Sequence, residues 1–239
     1  TILHLAAAHN HVALVIHFLE RAGHEYLAVT DGYDRTALSL AAQYGALASV
    51  DLLIGLRADV NSRSVNDLTP LHFASACGHE DIVHVLIANQ ANIEATGSWM
   101  GNPGYYSLSL AVRHNHPEVV RLLVACSADM SCKVANVTPL LMVATFWRRT
   151  DMVAILISLH ADINEQASIH GGDCPHTALM YAARKGRVAI VGFLLGAKAD
   201  HNVRDNEGRT CLNYCFECQD EDPVACAEIH ALLTTYQMV

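Results

Sequence analysis

Thr69-Pro-Leu-His-Phe-Ala-Ser-Ala-Cys-Gly-His-Glu-Asp-Ile-Val-His-Val-Leu-Ile87 decides the fold of this chain. The Thr69 hydroxyl can cap a helix, and Pro70 takes the first helical position, where its missing N–H costs nothing. His72 lies three residues past the cap and can reach back to it, as the third residue of a capping box does. Leu71, Ala74 and Ser75 make that helix thin. Gly78 ends it. A second helix follows, with Ile82, Val83, Leu86 and Ile87 on one apolar stripe. The phrase Ala91-Asn-Ile-Glu94 then leads out into an extended segment.

Working outward, the same sentence recurs. It reads Thr36-Ala-Leu-Ser39, Thr138-Pro-Leu-Leu141, Thr177-Ala-Leu-Met180 and Thr210-Cys-Leu-Asn213, with Thr1-Ile-Leu-His4 and a worn Tyr106-Ser-Leu-Ser109. Its Leu falls at 3, 38, 71, 108, 140, 179 and 212, at intervals of 35, 33, 37, 32, 39 and 33 residues. The second-helix phrase returns as Ala48–Ile54, Pro117–Val124, Asp151–Ile157 and Val188–Leu195. The exit phrase returns as Ala58-Asp-Val-Asn61, Ala128-Asp-Met-Ser131, Ala161-Asp-Ile-Asn164 and Ala199-Asp-His-Asn202. A thin first helix beside a bulkier second one makes stacked copies curve. One copy alone cannot bury its stripe, so stability comes from neighbouring interfaces.

The template, its order and its period resemble the ankyrin-repeat family along the whole chain, from Thr1 to about Thr234. The resemblance implies an all-α solenoid of about seven helix-turn-helix repeats with projecting hairpin loops. As one domain over 1–239, the repeats fall near 1–30, 31–63, 64–100, 101–132, 133–171, 172–204 and 205–239. The chain opens inside a repeat without an initiator Met, so a fragment of a larger protein is expected. The resemblance also implies a concave face that recognises another protein rather than a buried catalytic pocket.

Composition agrees with such a module. Of 239 residues, 52% are hydrophobic and 16% charged, which argues against disorder. The net charge is −9 with no long basic run, which argues against nucleic acid as the main partner. No apolar run is long enough to span a bilayer. The eight Cys sit mostly where the repeat wants a small apolar residue, so reduced thiols in the cytoplasm or nucleus are expected.

Departures from the template carry the functional expectations. Three linkers are long: Arg21–Arg35, Thr96–Tyr106 and Gln166–His176. Trp99 and Tyr105 in the second either fold back over the neighbouring repeat or touch a ligand. In the fifth repeat, Thr145-Phe-Trp-Arg-Arg149 replaces the terminal Gly, and the first helix reads one residue longer than the template. Trp147 either anchors a partner or fills the gap left by that insertion. The resemblance places Phe146 and Trp147 on the groove, with Ala8 and His9, Gln43 and Tyr44, Ala76 and Cys77, Arg113 and His114, Arg184 and Lys185. Carried over the same way, the hairpin tips are Tyr33 and Arg35, Leu68, Tyr105, Val137, His176 and Arg209. Tyr33, Arg35, Tyr44, Trp99, Tyr105, Arg113, Phe146, Trp147 and Arg184 are therefore the expected partner-binding residues, aromatic and Arg anchors being usual at interfaces. An acidic or extended peptide would suit them. In the seventh repeat, Gln219-Asp-Glu-Asp-Pro223 separates the helices, with Pro223 opening the last one.

Catalytic chemistry finds little support. No H-E-x-x-H, paired C-x-x-C, G-x-S-x-G, phosphate loop or dinucleotide fingerprint occurs. Cys211, Cys215 and Cys218 share one helix face and read as packed thiols rather than a zinc set. Gly171-Gly172 reads as a flexible loop. No cofactor, metal or enzymatic activity is expected. Asn61 and Asn164 lie in the hairpin context that, by family resemblance, an asparaginyl hydroxylase can modify. The expected function is a monomeric module binding a partner protein or peptide. The alternatives are a small-molecule or catalytic groove around the aromatic insertions of repeats four and five, and a rigid spacer.

Overall fold

The computed structural model describes residues 1–134, 138–168, 175–217 and 222–237. The chain forms two compact units, Thr1–Asp129 and Met130–Val239. Seven helix pairs occur among the described residues.

The first unit holds four pairs: α1 (Ile2–Ala8) with α2 (Val12–Ala22), α3 (Ala37–Gln43) with α4 (Leu47–Gly55), α5 (Pro70–Cys77) with α6 (Glu80–Ala88), and α7 (Ser107–His114) with α8 (Pro117–Ala125). A short 3-10 turn, His24–Ala28, follows α2. An antiparallel hairpin, β1 (Thr96–Trp99) and β2 (Asn102–Tyr106), precedes α7. The second unit holds a small hairpin, β3 (Lys133–Val134) and β4 (Thr138–Pro139), and three pairs. These are α9 (Leu140–Phe146) with α10 (Thr150–Ser158), α11 (Ala178–Arg184) with α12 (Val188–Gly196), and α13 (Cys211–Glu217) with α14 (Pro223–Gln237).

Inside each unit, first helices stack on first helices and second on second: α1, α3, α5, α7 and α2, α4, α6, α8 in the first, α9, α11, α13 and α10, α12, α14 in the second. The template leucines Leu3, Leu38, Leu71, Leu108 and Leu179 are buried between them. Burying each such side chain contributes roughly 1.5–3 kcal/mol. In the last pair Leu212 is only half-buried.

The caps form as the residue types dictate. Thr36 and Thr177 hydroxyls accept from the backbone N–H of Ser39 and Met180 at 3.3 and 3.2 Å. In the third repeat His72 Nδ1 accepts from the Thr69 N–H at 3.1 Å, so the ring proton sits on Nε2, which donates to the Tyr105 carbonyl at 3.1 Å. In the first six pairs the turn between the two helices contains one left-handed residue. Gly45, Gly78 and Gly186 supply it with φ +75°, +78° and +64°, and Asn10, Asn115 and Arg148 supply it elsewhere. Gly78 also makes room: a Cβ there would lie 2.3 Å from His116 Nδ1.

The fifth repeat corrects the expected register. Its first helix, α9, has seven residues, the same as α1, α3, α11 and α13. Pro139, not Thr138, is the cap, and Leu141 takes the place of Leu71. The extra residue therefore lies ahead of the helix, in β4, because the left-handed Arg148 holds the other end in register. Pro223 opens α14 as expected, and the Asp222 carboxylate accepts from the Ala225 N–H at 3.0 Å.

Candidate functional site

In the first unit the expected partner-binding residues begin at the tip before α3. The Asp31 carboxylate accepts from the backbone N–H of Tyr33 and Arg35 at 2.8 and 3.0 Å. It also takes the Arg35 guanidinium at 2.7 and 2.9 Å. Burial pushes this carboxyl up, but those four hydrogen bonds outweigh it and hold it below the usual range. Arg35 in turn lies over the Tyr33 ring at 5.1 Å and donates to Gln43 at the end of α3. Tyr33, and Tyr44 at the end of α3, stand out in solvent, 65% and 62% exposed.

Further along the unit the β1–β2 hairpin folds back over α7. Tyr105 is buried, and its hydroxyl accepts from Arg113 at 2.9 Å. Arg113 also donates to the Met100 sulfur at 3.7 Å. Trp99 is half-buried and meets the His114 ring edge-on at 5.4 Å. Tyr105 and Trp99 thus pack on the helix they precede and brace Arg113.

The second unit offers a second cluster. Trp147 caps α9 and is 39% exposed. Its ring meets Phe146 edge-on at 5.3 Å, and Phe146 stacks on Tyr181 of α11 at 6.0 Å. Arg187 lies over the other part of that stack, 5.8 Å from Tyr181, and donates to the Thr145 carbonyl at 2.8 Å. Arg184 and Arg209 both approach Tyr214, at 5.9 and 4.8 Å. Both also meet Glu217, at 3.0 and 3.8 Å, and Arg209 pairs with Asp205 and Glu207 as well. Arg184 and Arg209 are therefore paired with carboxylates inside the unit.

Asp205 repeats the Asp31 arrangement with one addition. It accepts from the N–H of Glu207 and Arg209, from the Arg209 guanidinium and from the Tyr214 hydroxyl. Burial raises its pKa, yet those bonds leave it far below the ordinary carboxylate range. The Asp-x-x-x-Arg spacing shared by Asp31–Arg35 and Asp205–Arg209 was the signal in the sequence for both tips.

Of the carried-over hairpin tips, Tyr33 is exposed and Arg35 and Arg209 half-exposed, but Leu68, Tyr105 and His176 are buried. Those three serve the packing, because the hairpins lean on the following helix. Val137, Gly171-Gly172, Cys218 and Gln219 to Glu221 lie outside the described residues. Cys211 and Cys215 are buried, and burial pushes the Cys211 thiol up to about 12. Cys215 faces Cys226 with 3.6 Å between the sulfurs. Asn61 uses both ends of its amide, accepting from the Asn92 N–H at 2.7 Å and donating to the Gln90 carbonyl at 3.1 Å. Among the described residues no three His, Cys, Asp or Glu side chains converge to hold a metal, and no helix is long and apolar enough to cross a membrane.

The sequence profile described as ankyrin repeats (3 copies) matches residues 3–97 and 98–167, more than half of the chain, and the single ankyrin-repeat profile matches residues 176–206. The chain is 25% identical over 186 residues to the ankyrin repeat protein nuc-2 of Neurospora crassa, covering 77% of this chain and 17% of that protein. It is 38% identical over 85 residues to ankyrin repeat and SAM domain-containing protein 6 of Rattus norvegicus, covering 36% of this chain and 9% of that one. It is 29% identical over 146 residues to the putative E3 ubiquitin-protein ligase XBAT31 of Arabidopsis thaliana, covering 57% and 31%. The chain thus spans under a third of the length of these curated relatives. Among solved structures, the human ASB11 ankyrin repeat domain superposes with a TM-score of 0.77 at 22% identity, over 97% of both chains. The Bcl-3 ankyrin repeat domain gives 0.74 at 23% identity, over 90% of this chain and 93% of that one. Ankyrin repeats are generally protein–protein interaction modules of a fold that is typically not catalytic. Template, stacked helix pairs and matched profiles agree, and the chain belongs to the ankyrin-repeat family.

Proposed function

We propose that this protein is a recognition module that holds a partner protein, or an extended segment of one, against the ends of its first helices and its hairpin tips. The observation that carries this reading is the exposure of large aromatics at those ends. Tyr33, Tyr44 and Trp147 are 65%, 62% and 39% exposed. Isolated exposed rings are common, but these three sit at positions that the family resemblance assigns to the groove or hairpin tips, and two are held by a neighbour, Tyr33 under Arg35 and Trp147 edge-on to Phe146. Rings already held in place lose little rotamer freedom on binding, which suits them as anchors.

Arg35, Arg113 and Arg184 act beside them. Each is oriented by a neighbour: Asp31, the Tyr105 hydroxyl and Glu217. Tyr105, Trp99 and Phe146 support these residues from beneath rather than meeting the partner themselves. Because Arg184 already has its carboxylate, an apolar or aromatic-bearing segment suits the second unit better than a uniformly acidic one.

The test is affinity capture with the full chain, its bound protein identified and its affinity measured against single variants. Trp147→Ala should weaken binding by roughly 2 kcal/mol with the fold intact. Tyr105→Phe, which removes only the Arg113 brace, should weaken it less. Unaltered affinity in Trp147→Ala and Tyr44→Ala alike would remove both sets of exposed rings from the function.

A further inference from the structure

Arg148 stands out by its conformation. In the first six pairs the left-handed residue between the two helices is Asn10, Gly45, Gly78, Asn115, Arg148 and Gly186 in turn. Glycine has no Cβ to clash there, and asparagine tolerates that conformation better than most residues. Arg148, at φ +58°, has neither advantage. It is exposed, and among the described residues its side chain makes no hydrogen bond and no ion pair. The ion pairs of the second unit belong instead to Lys133, Arg184 and Arg209. The fold thus keeps a strained arginine without a contact that offsets the strain, which points to a use outside the fold.

Inside the second unit a pocket of about 530 Å³ opens beside it. Arg148, Thr150 and Arg187 line it together with the start of α12, and Asp222 and Glu228 line it from α14 and the residue before it. Arg187 is half-buried and held in place by its bond to the Thr145 carbonyl at 2.8 Å. Burial lowers the Arg187 pKa and the Arg148 charge lowers it further, against the opposing effect of Tyr181. Two like charges therefore share the pocket, and neither is paired with Asp222 or Glu228. An anion held by both guanidiniums would relieve that repulsion.

We infer that this pocket is an oxyanion site whose occupant is a phosphoryl group carried on the partner segment. The inference deepens the recognition reading above and rests on it for the source of that group. Arg148 directly follows Trp147, so one segment can reach both. A phosphoryl group brings about two negative charges and three acceptor oxygens, enough for two guanidinium forks. A carboxylate brings one charge to the same pair. Asp222 and Glu228 repel any further anion, so the rest of the segment is uncharged or basic.

Titration of the full chain with a short peptide, uncharged except for one phosphoserine, tests this through the NMR signal of the Arg148 side-chain N–H. A saturable shift is expected, with inorganic phosphate competing. Arg148→Gly should weaken binding about tenfold while its unfolding midpoint in phosphate-free buffer stays level or rises. Glu228→Gln should tighten binding about twofold, because an exposed repulsive charge is removed. The same peptide with glutamate in place of phosphoserine should bind several-fold more weakly. No saturable shift, or equal affinity in Arg148→Gly, would overturn the site. A glutamate peptide that binds as tightly would overturn the phosphoryl assignment in favour of a carboxylate. A lower midpoint in Arg148→Gly would overturn the inference by showing that the arginine braces the fold. The titration uses no captured partner, so its failure leaves the Trp147→Ala test of the recognition reading standing.

Discussion

In the first unit, imidazoles take the carbonyls that link one helix pair to the next. His4 Nε2 donates to Arg35, His72 to Tyr105, His79 to Gln43 and His116 to Ala76, at 2.9–3.1 Å. In the second unit guanidinium and carboxylate groups do that work. Arg187 donates to the Thr145 carbonyl and Arg184 reaches Glu217, while inside the last repeat Asp205 gathers Arg209 and Tyr214. Ten of the fifteen histidines lie at or before residue 129. One template can thus be closed by two chemistries that respond differently to acid.

The largest effect should come from the packing that both units share. Leu71→Ala deletes a fully buried side chain between α3, α5 and α7 and should cost about 2–5 kcal/mol. Denaturant titration gives the answer, and a shift under about 0.5 kcal/mol would mean that Leu71 is not core.

Acid should then separate the two chemistries. Burial holds His72 near a pKa of about 4, against the pull of the Tyr105 and Ala95 carbonyls, and lowers His4 as well. The unfolded chain therefore binds the proton first. The contribution of His72 is complete above about pH 6.5 and is lost as pH falls toward 4, for a total of about 3 kcal/mol. Asp205 has the same sign in a lower range: its contribution is present above about pH 4 and is lost only below that. Amide hydrogen exchange at pH 7 and pH 4.5 should show α5 and its neighbours losing protection before α13. His72→Gln should flatten that loss. Equal loss in both units would break the distinction.

Turn geometry sharpens it further. Gly78→Ala meets both an unfavourable left-handed φ and the His116 ring, and should cost about 2 kcal/mol, read as a lower unfolding midpoint. In the second unit Gly186 holds the turn between α11 and α12, but the turn between α9 and α10 carries Arg148, at φ +58°. Arg148→Gly should act in the opposite direction, stabilising by up to about 1 kcal/mol. A destabilised Arg148→Gly would show that the arginine makes a compensating contact.

Much of this was legible before any coordinates. The helix pairs, the caps at Thr36 and Thr177, the Gly78 stop and the leucine spine follow from interactions within a few residues, and such interactions leave a periodic trace. The residue pairs that end the first helices, Phe146 and Trp147 included, also fall in register, because a left-handed residue follows each. Other features have partners about 30 to 40 residues away, and nothing local marks them. Leu68, Tyr105 and His176 look like tip residues in the sequence, yet each hairpin leans on a helix and buries them. The proline cap of α9 was hidden behind an adjacent threonine that mimics the template.

What the amino-acid order determined alone is the period: which residues cap, which stop and which turn inward, since each of these is settled within one helical turn. What only tertiary structure decided is which polar groups meet across the stack. Whether Arg184 reaches outward or toward Glu217, and whether Arg187 meets the Thr145 carbonyl, depends on the distance between neighbouring repeats. That distance is set by packing summed over whole helices, and no single residue encodes it.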